Sequence, residues 1–238
     1  MAALSLKPQW RLAQWLLVLF TLAAFLLLCK LSLWQWQRAD EKQQLLQQQA
    51  SWQQQGPVAW RELPLADPLQ LDGVQLSGRA VWQQPAVWLL DNQLLDGKAG
   101  YDVVIPVLVD NSMPLVLVNL GWVAAPARRD QLPELSVPAE FELQGLLRTR
   151  LGGVLLGQNL ENSGLWPQRM QQVVPQELGQ LLAQPVYTGV VYQQQSSFRY
   201  HYQAVVLPPE KHRAYAVQWA LLALVVLVVA GALWRREL

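Results

Sequence analysis

The residues best suited to chemistry stand near the two ends of the chain. His212, one of only two histidines, lies in Pro208-Pro209-Glu210-Lys211-His212-Arg213, directly before a long apolar run. The prolines and Glu210 are helix-start signals, which puts His212 in a first helical turn. Tyr215 and Trp219, three and seven residues on, share its helix face. A neutral imidazole in that place can ligate a group held at a membrane surface. It can equally be an interfacial polar residue beside an aromatic belt. Trp34 and Arg38 form a second pair, at i and i+4, with Glu41 on the same stripe. They either line a groove shared with His212 or serve as a belt residue and a snorkelling cation. The other histidine, His201, alternates with Arg199 and Gln203, which places it on a solvated strand face.

Two apolar segments must position these residues. Residues 12–33 and 214–234 are each long enough, at about 20 residues, to cross a hydrocarbon core as a helix. Tryptophans flank both: Trp10, Trp15 and Trp34 on the first, Trp219 and Trp234 on the second. The first run is longer than a signal-peptide core, and Leu28 before Cys29 lacks the small residue of a lipoprotein signal, so a retained anchor is expected. Lys7 and Arg11 before the first span, and Arg235 and Arg236 after the second, put both termini in the cytoplasm. The expected organisation is a cytoplasmic tail (1–11), a transmembrane helix (12–33), a helical extension (34–55), an extracytoplasmic domain (56–208), a second transmembrane helix with its lead-in (209–234) and a short tail (235–238). The extension follows from a Gln-, Leu- and Ala-rich stretch with no Gly or Pro before Gly56-Pro57.

Between the spans, short apolar or alternating runs are punctuated by Gly, Pro, Asp and Asn. Strands are expected over 70–81, 86–90, 101–109, 115–123, 140–147, 186–192 and 198–207. A helix starts at Pro175, with Glu177 in its first turn and Leu178, Leu181 and Leu182 behind. The fold class is therefore a membrane protein of α+β type, with two transmembrane helices flanking a β-rich domain, an antiparallel barrel or sandwich. Gly121 and Trp122 end an apolar strand, where Gly permits a bulge or close backbone approach and Trp plugs the core. Asn159, Trp166 and Pro167 read as turn chemistry and packing.

Several functions are excluded. Cys29 is the sole cysteine and lies inside the first span, so the outer domain has neither a disulfide nor a thiolate metal site. With a net charge of +1 and no basic patch interleaved with aromatics, nucleic acid is not a partner. There is no G-x-S-x-G, and Gly152-Gly153 lacks the Lys-Ser/Thr of a phosphate loop. No enzyme signature is present.

Four features in one order carry a resemblance: Trp34-Gln35-x-x-Arg38; Tyr101-x-Val103-x-x-Pro106 followed by Asn119-x-Gly121-Trp122; Asn159 followed by Trp166-Pro167; and His212-x-x-Tyr215-Ala216-x-x-Trp219. With the two spans, this arrangement resembles the Surfeit locus protein 1 family, assembly factors for haem-copper cytochrome c oxidase. The chain departs from the family pattern at Ser32, Leu120 and Met170, where Gly, Arg and an acidic residue are usual. The resemblance implies a bacterial inner-membrane protein with a periplasmic main domain, no catalytic activity and haem a as cofactor. It implies iron ligation by His212; the residues around it then suggest a pocket shaped by Tyr215, Trp219, Trp34 and Arg38, with Lys211 and Arg213 able to meet the propionates by charge-assisted hydrogen bonds. The nascent oxidase catalytic subunit, haem A synthase and membrane lipid are the implied partners. The alternatives are a haem-free anchored chaperone and an extracytoplasmic protein-interaction module.

Overall fold

The computed structural model describes residues 7–63, 67–153, 155, 157–161 and 163–236. Residues 1–6 and 237–238 of the expected tails lie outside the described residues. The chain divides into two compact units, Gln48–Gln203 on one hand and Met1–Gln47 with Ala204–Leu238 on the other.

The flanking unit is built on α1 (Lys7–Gln55), whose last two turns belong to the other unit, and α3 (Pro209–Arg236). Helix α1 stops at Gly56-Pro57, the first breakers after its long run of helix formers. The two helices meet antiparallel: the Ser32 hydroxyl donates to the carbonyl oxygen of Ala216 at 2.8 Å. Ala216 and Ala223 are buried, and residues this small let helix backbones approach. Both helices are long and apolar enough to cross a membrane. Trp15 and Phe20 on α1, and Val228 and Trp234 on α3, are exposed, a surface suited to hydrocarbon.

In the Gln48–Gln203 unit, β1 (Val58–Ala59), β2 (Gln75–Trp82), β3 (Trp88–Leu95), β4 (Lys98–Val109), β5 (Ser112–Ala124), β6 (Glu140–Arg148), β7 (Gln168–Met170) and β8 (Val186–Gln193) form one sheet. Helix α2 (Pro175–Leu182) precedes β8. Strand β2 pairs with β6 along most of its length and, through Ala80–Trp82, with Val107–Val109 of β4. The second pairing closes the ring β2-β6-β8-β5-β4. Numbered along the chain, these strands run first, fourth, fifth, third, second and back to the first, and the third and fifth, β5 and β8, are parallel. That is the strand order of an OB-type barrel.

Period-two alternation divides the core. Val103, Ile105 and Val107 of β4 and Val116, Val118 and Leu120 of β5 point into the barrel. Val104 and Leu117 point outward, into a second cluster with Trp88, Met170, Leu178 and Val190. Buried on both faces, β4 and β5 read as continuous apolar runs rather than alternating ones. The hairpins between β3 and β4 and between β4 and β5 turn on Asp96-Gly97 and Asp110-Asn111, each with two positive φ angles, the demand of a two-residue turn.

The structure corrects four expectations. The barrel is mixed rather than antiparallel, since β5 and β8 are a parallel pair, and β1–β2 and β3–β7 beside it are parallel too. Strand β3 runs on to Leu95 rather than ending at residue 90, and β4 begins at Lys98 because the Asp-Gly turn allows the hairpin to continue. The short strands β1 and β7 were not anticipated. No strand forms over 198–207; one bridge, Arg199 to Trp122, is its only ladder contact among the described residues.

Candidate functional site

His212 sits in the first turn of α3 and is 9% exposed. Its Nδ1 lies 2.7 Å from Oε1 of Gln35 on α1. An amide oxygen carries no proton, so Nδ1–H donates and the lone pair is left on Nε2. Gln35 and Ser32, three residues apart, and His212 and Ala216, four apart, form one stripe on each helix, joined by two hydrogen bonds. Ser32 thus gives the α1–α3 contact a polar bond that a glycine there would lack.

The other expected residues distribute unequally. Trp219, two turns beyond His212, is half-buried on the same stripe. Tyr215 is exposed, off the stripe. Trp34 and Arg38 are exposed on α1, the guanidinium carbon lying 5.8 Å from the centre of the Trp34 ring and Nη1 lying 2.7 Å from Glu41 Oε2. Their hydrogen-bond and ring partners are one another and Glu41, while Gln35 between them reaches His212. Sequence reasoning picked the neighbours of Gln35 and missed Gln35 itself. The signal was available: 35 is the position of the Trp-Gln motif that faces Ser32.

A second constellation lies on the outer face of the barrel wall, beside the second cluster, and it corrects the solvated reading of His201. The His201 ring turns onto the barrel wall, with Nε2 2.6 Å from Oδ1 of Asp102. Asp102, 2% exposed, also accepts from Asn119 Nδ2 at 2.7 Å, and Asn119 Oδ1 accepts the Gly121 amide at 2.9 Å. Tyr192 packs against the same group. Burial, reinforced by the Asp102 charge, pushes its phenol up to about 12, with Arg148 and a hydrogen bond from Asn119 acting in the opposite sense. The clue in the sequence is a polar residue interrupting each of two paired apolar strands, Asp102 in β4 and Asn119 in β5. Asp102 and His201 tie the segment after β8 to the barrel wall, which is what an expected ladder would have done.

Gly121 and Trp122 behave as packing residues. At Gly121 φ is +121°, the β4–β5 register shifts beside it, and a Cβ would stand 2.8 Å from the Arg199 carbonyl oxygen. Trp122 is buried, and its indole N–H donates to the Gln93 carbonyl. Asn159 is buried too, donating to Glu177 at 2.6 Å and accepting from the Gln171 and Gln172 amides. Trp166 stacks edge-on against Trp88 at 5.4 Å. Met170, where an acidic residue is usual in the resembled family, is buried in the core outside the barrel.

The SURF1 family model matches residues 22–224. The chain belongs to the SURF1 family. Both halves of the α1–α3 contact, Ser32 and Gln35 on one side and His212, Ala216 and Trp219 on the other, fall within the match. SURF1 proteins are cytochrome oxidase assembly factors, and the two long apolar helices of this chain suit a membrane anchor. No curated protein matches the chain.

Proposed function

We propose that this SURF1 protein is a non-catalytic assembly factor that holds haem a at the outer face of a bacterial inner membrane and presents it to the nascent catalytic subunit of a haem-copper cytochrome c oxidase. The observation that carries the proposal is the state of His212: Nδ1 occupied by Gln35, Nε2 bearing the free lone pair. Metal-binding histidines are held this way, one nitrogen donating to an oxygen while the other meets the metal. An imidazole held in this way fits as a ligand to a haem iron.

Bound haem a would bring an iron centre and an apolar tail suited to the lipid-facing surface of the helices. His212 would ligate, Trp219 would offer an aromatic wall, and Tyr215 and Trp34 would line the flanks. Arg38 is free to meet a propionate, because its exposed pairing with Glu41 is worth at most about 1 kcal/mol. Lys211 and Arg213, either side of His212, supply further positive charge. The cytoplasmic ends, the periplasmic domain and contact with haem A synthase are parts of the same proposal.

The test is a visible absorption spectrum of the protein purified from cells that make haem A, repeated for His212→Ala. A haem a spectrum in the wild type that is lost in the variant is expected. Wild-type protein free of haem would sink the cofactor role and leave a haem-free chaperone; unchanged haem in the variant would remove His212 as the ligand.

A further inference from the structure

The barrel holds a polar pocket of about 400 Å³ that the haem reading does not use. It lies between the two long connections of the ring. One joins β2 to β4 and carries β3, and the other joins β6 to β8 and carries β7 and α2. In OB-type barrels these two connections, first to second strand and fourth to fifth, are the ones that hold ligands.

Its charge is unbalanced in one direction. Asp72, 6% exposed, accepts Arg148 Nε at 2.9 Å and the amides of Thr149 and Arg150 at 2.8 and 3.2 Å. The Arg150 Nε lies 3.8 Å from the same carboxylate. Two guanidiniums on the pocket wall therefore share one carboxylate. Asp72 lies behind the wall; the acid that lines the pocket, Asp91, is already paired with Arg129 at 2.6 Å. One positive charge is left over, and Arg150, 45% exposed, presents it to the opening.

The pocket also holds an unused donor. The Tyr202 hydroxyl is buried and has no hydrogen-bond partner among the described residues, a state native structures rarely leave unexplained. The Arg148 guanidinium lies 5.2 Å from the centre of its ring, and the Tyr192 ring lies 4.6 Å away. Tyr192 keeps its proton throughout the physiological range, so it adds no negative charge beside this group.

We propose that this pocket binds a carboxylate carried by an extended polypeptide, with Arg150 as its ion partner and the Tyr202 hydroxyl as a donor. A carboxylate is the planar acceptor that matches a guanidinium fork, and half-exposed Arg150 can form that pair without full desolvation. The group would come from an acidic side chain or from a chain terminus. The proposal does not depend on haem.

Isothermal titration of the full-length protein in detergent micelles tests it. The probes are short peptides bearing an internal Glu with an amidated end, a free C-terminal carboxylate without Glu, or neither. Saturable binding of a carboxylate-bearing peptide, with none of the third, is expected, and the peptide that binds identifies the source. Arg150→Gln and Tyr202→Phe, which both leave the buried Asp72–Arg148 pair in place, should each weaken binding about tenfold. Equal binding of all three peptides, no saturable binding, competition by inorganic phosphate at matching concentration, or unchanged affinity in both variants would overturn the assignment.

Discussion

Replacing Gln35 by Leu is the sharpest perturbation of the proposed haem site, because it replaces neither the histidine nor any residue expected to meet the cofactor. Leu approximates the volume of Gln but removes the oxygen 2.7 Å from His212 Nδ1. The ring N–H is then buried without an acceptor, at a cost of about 1–3 kcal/mol. The ring can relieve that cost by rotating or by moving its proton to Nε2, and either change would displace or remove the lone pair proposed to ligate iron. Loss of a partner that orients a metal-bound histidine lowers affinity roughly 10–100-fold. The assay is haem content per protein, with a reductive titration, on protein purified from cells that make haem A. Ser32→Ala is the control: it breaks the other α1–α3 hydrogen bond, to the Ala216 carbonyl, and leaves the imidazole held. Expected are near-wild-type occupancy in Ser32→Ala, a marked loss in Gln35→Leu, and in Gln35→Glu retained haem with a lower potential, since a carboxylate makes the ligand more basic. Gln35→Leu with wild-type occupancy and potential would refute the reasoning, as would equal losses in the Leu and Ser32→Ala variants, which would reduce Gln35 to helix packing.

Two further outcomes concern the barrel. Gly121→Ala should destabilise it by about 1–3 kcal/mol, from the strained positive φ and the approach of Cβ to the Arg199 carbonyl; urea unfolding followed by tryptophan fluorescence would read this, and an unchanged midpoint would contradict it. Tyr192 ties stability to alkaline pH: its folded pKa of about 12 lies above the ordinary value of 10.0, so its contribution is complete below pH 10 and is lost as pH rises through the folded pKa. The loss should approach about 2–3 kcal/mol and should be flattened in Tyr192→Phe, as measured by denaturant midpoints across that window.

What could be read from the sequence depended on how local the cause was. The end of α1 at Gln55 and the start of α2 at Pro175 are set by breakers and good formers within a few residues, and both were legible. Strands β4 and β5 were legible in their apolar middles, but their ends lie at turns whose Asp-Gly and Asp-Asn pairs must be read as positive-φ positions. Strands β1 and β7, of two and three residues, are too short to show any period. The segment 198–207 shows the opposite failure. Phe198, Tyr200 and Tyr202 alternate as a strand would, yet side chains anchor this stretch: Tyr202 stacks on Tyr192, and His201 meets Asp102. Alternation reports that side chains go to two sides; it does not report that a neighbouring strand supplies the hydrogen bonds. The α1–α3 contact was half legible, because helical spacing gave the face of His212 but not the opposing register of Gln35.

The two histidines show why a partner's chemistry and the nitrogen it occupies matter more than burial. His201 spends Nε2, its outermost nitrogen, on the charged Asp102, leaving only Nδ1, which sits close to its own backbone. A flat macrocycle would have to approach that nitrogen past the main chain. His212 spends Nδ1 on a neutral amide oxygen and keeps the outermost nitrogen free. A carboxylate on the barrel wall clamps one imidazole through its outermost nitrogen; an amide oxygen on the facing helix leaves that nitrogen available on the other. The same residue type therefore serves as a tether on the barrel wall and as the candidate iron ligand in the helix pair.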